Sequence, residues 1–241
     1  MQRVGKELLY SPHDLIAYLE GDFASWMDRL HFESKTAGKA ANAGTGPALG
    51  SPKPDEDGEE MELLKRRGKE HEARYLAELA KQHPDLVTID SKPAAFDQTV
   101  ATMQASRSVI YQGCLRAEAF LGYPDFLFRV LGESKFGKFS YEPADTKLAK
   151  SAKPHFIVQL CAYADMLEEI QGRRPRDFVF RLGDGADARF RTDEFFYYYR
   201  RLKRAFLTFQ EAFDPTKMPE PGLERSFGRW SEYAAKLLEK S

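Results

Sequence analysis

Apolar residues near the start of the chain recur at helical spacing. Leu15, Tyr18, Leu19, Trp26 and Leu30 form one stripe, with a break expected at Gly21. Ser11-Pro12-His13-Asp14 opens it, with a hydroxyl at the N-cap, proline in the first turn and an acid behind it. From 35 to 60 the periodicity stops. Ala, Gly, Pro and Ser dominate, followed by the acids Asp55-Glu56-Asp57 and Glu59-Glu60, a texture that cannot bury enough surface to offset ordering. A flexible insertion is expected there. The helical period returns between Met61 and Gln82, with Leu64, Gly68, His71, Tyr75, Leu76 and Leu79 on the stripe. Beyond it the period shortens to two. Val87–Ile89 and Val109–Tyr111 are rich in β-formers, Gly122–Val130 alternates as a half-buried strand, and Ser140–Leu148 and Phe178–Leu182 read as further strands. Helices are predicted over Pro154–Ile170 and Asp193–Phe213. Strands enclosed by helices imply an α/β fold with a mixed sheet of about four or five strands. The expected division is an N-terminal helical segment packing on the core (1–34), the insertion (35–60), the core (61–213) and a C-terminal extension (214–241).

Composition narrows the possible chemistry. At 42% hydrophobic and 30% charged residues, with 18 Phe and 11 Tyr, the chain can build a core. The 36 basic and 37 acidic residues nearly cancel, so nucleic-acid contact requires local clustering rather than a basic coat. Two cysteines supply neither a disulfide framework nor a four-cysteine metal site, and Cys114 and Cys161 read as buried packing residues. No apolar run is long enough to span a bilayer and Met1–Lys6 does not lead into a signal-peptide stretch, so a soluble cytoplasmic protein is expected.

Two acids stand on segments read as strands: Asp125 in Gly122-Tyr123-Pro124-Asp125 and Asp145 in Asp145-Thr146-Lys147. An ionised side chain there is costly unless a cation or donor meets it. Two acids on adjacent strands can hold a hard divalent cation, and Lys147 shares a face with Asp145 because side chains alternate with period two. A buried Asp–Lys ion pair is the alternative reading. His71 lies on the apolar stripe one turn after Gly68, where a satisfied core histidine is the plainer reading. Gln159 and Tyr163, four apart on a predicted helix, share a face that could meet a phosphate.

Taken in order, Gly68–His71, Gly122–Asp125, Asp145–Lys147 and Gln159–Tyr163 resemble the RecB-like branch of the PD-(D/E)xK nuclease superfamily. In that branch a helical G-x-x-H is followed by G-x-x-D, D-x-K and Q-x-x-x-Y. The resemblance is nearest to RecB-like nuclease domains of bacterial nuclease–helicase fusion proteins, and extends to Tyr141–Ala149 and Arg181–Gly185. It implies a restriction-endonuclease-like core and a metal-dependent nuclease that hydrolyses DNA, an exonuclease on single strands in repair or recombination. It further implies Mg²⁺ or Mn²⁺ held by His71, Asp125, Asp145 and the Thr146 carbonyl. Lys147 would act on the water and phosphate, and Gln159 and Tyr163 would position the phosphate. Glu72 is a candidate outer ligand or an exposed helix acid. Many relatives carry an iron–sulfur cluster on four cysteines. Here Leu19–Asp22 and Glu224–Trp230 stand at the matching places without a cysteine, so no iron–sulfur cluster is expected and packing must clamp the two ends.

Lys135, Lys138, Lys150 and Lys153 flank the D-x-K strand and suit a nucleic-acid track, as do Arg173-Arg174-Arg176 and Arg200-Arg201. No phosphate-loop motif occurs, so a motor would reside on a separate helicase or another part of a parent protein. A non-catalytic DNA-binding module and a partner-gated subunit docking on a helicase or CRISPR-adaptation complex are the other readings.

Overall fold

The computed structural model describes residues 1–36, 52–90, 94–223 and 226–239. The chain divides into two compact units, Glu59–Tyr199 and Met1–Gly58 with Arg200–Ser241. In chain order the elements are β1 (Gln2–Val4), β2 (Glu7–Leu9), α1 (Pro12–Glu20), α2 (Asp22–Thr36), α3 (Glu59–Gln82), β3 (Val87–Thr88), α4 (Ala95–Gln104), β4 (Val109–Tyr111), β5 (Leu115–Ala117) and β6 (Phe120–Gly122). There follow β7 (Phe126–Ser134), β8 (Gly137–Thr146), α5 (Pro154–Gln171), β9 (Asp177–Arg181), β10 (Asp187–Arg191), α6 (Thr192–Glu211) and α7 (Ser231–Leu238). Among the described residues no helix is long and apolar enough to cross a membrane.

The larger unit is an α/β core around a mixed sheet of six strands in the order β10-β9-β8-β7-β4-β3. The β8–β9 and β3–β4 pairs are parallel and the other three antiparallel. The strand added to the expected five is β10. Its alternating pattern puts Ala188 and Phe190 inward and Asp187, Arg189 and Arg191 outward, so the charges that protect a sheet edge disguised it as a loop. The predicted Gly122–Val130 strand is split. The β6 strand ends at Gly122 and β7 begins at Phe126, because Pro124 between them has no N–H to give to a ladder. Leu79 of α3 packs with Val109, Phe126 and Ala144 on one face of the sheet. The β8 strand is buried without interruption from Ser140 to Asp145, the signature of a strand covered on both faces.

Helix α5 crosses from β8 to the parallel β9, and Gln171 fixes its end. The fully buried Gln171 accepts from Tyr141 N at 2.8 Å through Oε1 and donates to Tyr141 O at 3.1 Å through Nε2. A side-chain amide thus acts as a strand neighbour where β9 has not yet begun, since β9 pairing starts at Ala144. Pro143 immediately precedes that first paired residue, where an N–H is not required.

In the smaller unit Ser11 caps α1 as expected, and Asp14 makes the cap reciprocal: Asp14 N donates to Ser11 Oγ, and Ser11 N to Asp14 Oδ2 at 2.7 Å. Phe23, Ala24, Trp26 and Met27 of α2 pack with Trp230 and Ala234 near the C-terminus. Each large apolar side chain buried there contributes on the order of 2–3 kcal/mol. Polar contacts complete the clamp. Trp230 Nε1 donates to Asp28 at 2.9 Å, and Trp26 Nε1 to the Asp214 carbonyl at 3.1 Å. The second half of α6 belongs here too, with Phe206 edge-on to Tyr10, so the core boundary expected at 213 falls at 199.

The insertion expected over 35–60 is trimmed at both ends, since α2 runs through Thr36 and α3 begins at Glu59. Its stretch 37–51 lies outside the described residues. Asp55 is not simply a solvated acid: its N–H donates to Arg229 O at 2.8 Å, and its carboxylate accepts from Ser231 N at 2.8 Å, capping α7. Cys114 and Cys161 are free and buried, and burial pushes the Cys161 thiol up to about 12.

Candidate functional site

The exit of β8 and the entry of β7 lie side by side, because the antiparallel register puts Phe126 opposite Ala144. Asp125 therefore precedes its strand rather than lying on it, and meets Asp145 and Thr146 across the ladder end. Asp125 N donates to Asp145 Oδ1 at 3.3 Å, and Thr146 N and Oγ1 both donate to Asp125 Oδ2 at 2.7 Å. Among the described residues Asp125 Oδ1 accepts no hydrogen bond. Asp145 is 2% exposed, and its Oδ2 is paired with Lys147 Nζ. The ammonium also donates to Gln159 Oε1 at 3.0 Å and lies 5.0 Å from the Phe156 ring centroid. Gln159 Nε2 donates to Tyr163 OH at 3.2 Å, and that hydroxyl donates to Tyr123 O at 3.1 Å. One network thus joins six of the seven residues singled out in the sequence: Asp125, Asp145, Thr146, Lys147, Gln159 and Tyr163.

The seventh, His71, is 7% exposed on α3 with Nε2 3.3 Å from Arg181 O, a carbonyl that also accepts from Lys147 N at 2.9 Å. A carbonyl only accepts, so Nε2 carries the proton in that contact. His71 thus braces the strand beside Lys147, and its described bond is to backbone rather than to either acid. Among the described residues no three His, Cys, Asp or Glu side chains are gathered into a ready metal site. Gly68, one turn earlier, has no close neighbour: an added Cβ would meet only Leu148 Cδ1, at 4.0 Å.

The charge balance is uneven. Burial, then Asp145, then Glu72 push the Asp125 carboxyl well above its ordinary value, against the bonds from Thr146. Burial and the same two aspartates also raise the Tyr163 phenol, which stays neutral. Glu72 is a residue whose role sequence reasoning undervalued. It is half-buried, and its Oε1 accepts from Tyr111 OH at 2.8 Å and from Gln112 Nε2 at 2.7 Å. Gln112 in turn gives its N–H to Asp125 O at 2.8 Å from a left-handed backbone, φ 54°. A non-glycine residue holds that conformation only when its surroundings over-determine it, as these bonds do. Nothing local announces this pairing, since Glu72 and Gln112 are 40 residues apart.

The segment after Lys147 is set by a close approach. An added Cβ at Gly183 would stand 2.2 Å from the Leu148 carbonyl oxygen, and Gly183 N donates to Ala149 O at 3.1 Å. The turn between β9 and β10 thereby holds the backbone that carries Lys147. No protein-family model matches the chain, and no curated protein matches it at a significant level.

Proposed function

We propose that the larger unit is a divalent-metal-dependent nuclease that hydrolyses DNA phosphodiesters, acting on single strands from an end, in the manner of RecB-like PD-(D/E)xK enzymes. The observation that carries the reading is the meeting of Asp125, Asp145 and Lys147 at the paired ends of β7 and β8, with the Asp125 carboxyl raised by burial and by its acidic neighbours. A hard cation suits that donor set: it takes oxygen ligands, and Asp125 offers an oxygen that accepts no hydrogen bond among the described residues, beside a second carboxylate. Asp125 and Asp145 would hold Mg²⁺ or Mn²⁺, with Glu72 as an outer acid and His71 one carbonyl away at Arg181. When bound, the cation supplies Lewis acidity at a phosphoryl oxygen.

The remaining work belongs to the side chains. Lys147 places positive charge where the phosphate oxygens gain negative charge. Gln159 holds that ammonium by Oε1, and Tyr163 fixes the backbone just before Asp125. Lys150 and Lys153, both exposed, extend positive charge along the approach for a phosphate backbone. The proposed setting is the cytoplasm.

One observation favours a second reading, a non-catalytic or partner-gated DNA-binding subunit. Lys147 is already held by Asp145 and Gln159, so the network is closed as it stands. End-labelled linear and closed circular single-stranded DNA, incubated with Mn²⁺ or with chelator, separates the two. The nuclease reading expects loss of the linear strand with Mn²⁺ alone. Undiminished cutting in excess chelator, or no cutting with metal, overturns it, and rapid cutting of circles overturns the requirement for an end.

A further inference from the structure

Tyr123 is a large aromatic residue left 41% exposed two positions before Asp125, next to the acids and the lysine of the candidate site. Exposure alone says little, but its surroundings hold it firmly. Its carbonyl is tied to the buried Tyr163 by the 3.1 Å bond from that hydroxyl. The following Pro124 confines Tyr123 to extended backbone. The ring therefore combines an exposed surface with a backbone fixed to the same network that holds Lys147 and Asp145.

An exposed aromatic ring on a fixed backbone has one strong use beside a phosphate-handling centre. Nucleobases stack on such rings without regard to sequence, because every base has a π-face, and a fixed backbone beneath the ring leaves less freedom to lose on binding. A base within a duplex is already stacked on both faces, whereas an unpaired strand offers its bases freely. We propose that Tyr123 is a stacking platform for an unpaired nucleobase next to the reacting phosphate, and that it selects single-stranded over duplex DNA. The proposal rests on the nuclease reading for the position of that phosphate, while the stacking itself can be read without catalysis.

The test is binding by the full chain in chelator, where cleavage does not intervene. The probes are fluorescently labelled oligothymidylate and an abasic strand with the same number of phosphates. The parent is expected to prefer oligothymidylate. Tyr123→Ala should weaken its binding by roughly 5- to 150-fold, the range for loss of one stacked base. Affinity for the abasic strand should not change, and Tyr123→Phe should bind both strands as the parent does. A merely structural role predicts equal losses on the two strands, with a lowered melting temperature. Equal losses, no loss, or a Tyr123→Phe variant as weak as Tyr123→Ala overturns the proposal. The outcomes separate the two readings: a parent that cuts with Mn²⁺ but has no Tyr123-dependent base preference keeps the nuclease and loses the platform. A Tyr123-dependent preference in a chain that never cuts does the reverse.

Discussion

Replacing Asp125 by asparagine removes a charge and keeps the shape. The amide oxygen can go on accepting from Thr146 N and Oγ1, both at 2.7 Å from Oδ2 in the parent. What disappears is a carboxylate whose proton affinity is raised by burial, by Asp145 and by Glu72, in that order. For an acid raised in the folded state, the stabilising contribution is complete below the unfolded value, near 4, and is lost as pH rises through the folded value. At about pH 8 without metal the raised Asp125 carboxyl therefore works against folding, and Asp125→Asn should melt higher than the parent. Each tenfold change in the acid constant is worth about 1.4 kcal/mol. At roughly 2–4 °C per kcal/mol for a chain of this size, the rise is about 3–6 °C for each such factor. Scanning fluorimetry in chelator at pH values from about 4 to 8 reads the difference, which should shrink toward the acid end as the parent takes up its proton. Mn²⁺ should raise the parent melting temperature and leave Asp125→Asn nearly unmoved. A variant that melts at or below the parent near pH 8 in chelator would refute the electrostatic argument, whatever its activity.

Lys147 and Asp145 should separate turnover from metal binding. Lys147→Ala removes a positive charge that is no ligand, so calorimetric Mn²⁺ titration should show binding retained, while single-turnover cutting falls on the order of a hundredfold or more. Asp145→Ala should lose both, and parent-rate cutting by Lys147→Ala would remove the lysine from the mechanism. At Gly183 the Leu148 carbonyl stands where a Cβ would go, so Gly183→Ala should cost on the order of 1–3 kcal/mol in urea unfolding and slow cutting by shifting the backbone beside Lys147. A Gly183→Ala variant as stable as the parent would contradict that packing.

Much of the core was legible because its signals are local. The stripe through His71, Tyr75 and Leu79 is a helix, and the Asp145–Lys147 spacing places both side chains at one end of β8, where they pair. Gln159 and Tyr163 do share a face, with the amide donating to the hydroxyl. The losses come where partners are distant or where charges mask alternation. The outward-facing Asp187, Arg189 and Arg191 hid β10. Helix α4, Ala95–Gln104, is short and its buried face is part polar: two threonines turn inward, with Thr99 and Thr102 bonding to carbonyls of their own helix at 2.7 Å, which blurs the apolar stripe. The Glu72 contacts with Tyr111 and Gln112 and the capping of α7 by Asp55 join residues with no sequence pattern in common. The His71 ring shows the limit most clearly: its position on a buried face was readable, whereas its carbonyl partner depends on the register of β9 against β8.

The clamp formed by Phe23, Trp26 and Met27 with Trp230 and Ala234 also governs the order in which the chain can mature. The larger unit is continuous in sequence, so its strands can pair once residue 199 has been synthesised. The smaller unit draws on both flanks, and closing a loop of that length is entropically costly and late. Until Trp230 is made, Phe23, Trp26 and Met27 of α2 lack part of the apolar surface that covers them. The nascent chain is therefore vulnerable to aggregation through α2 until α7 docks.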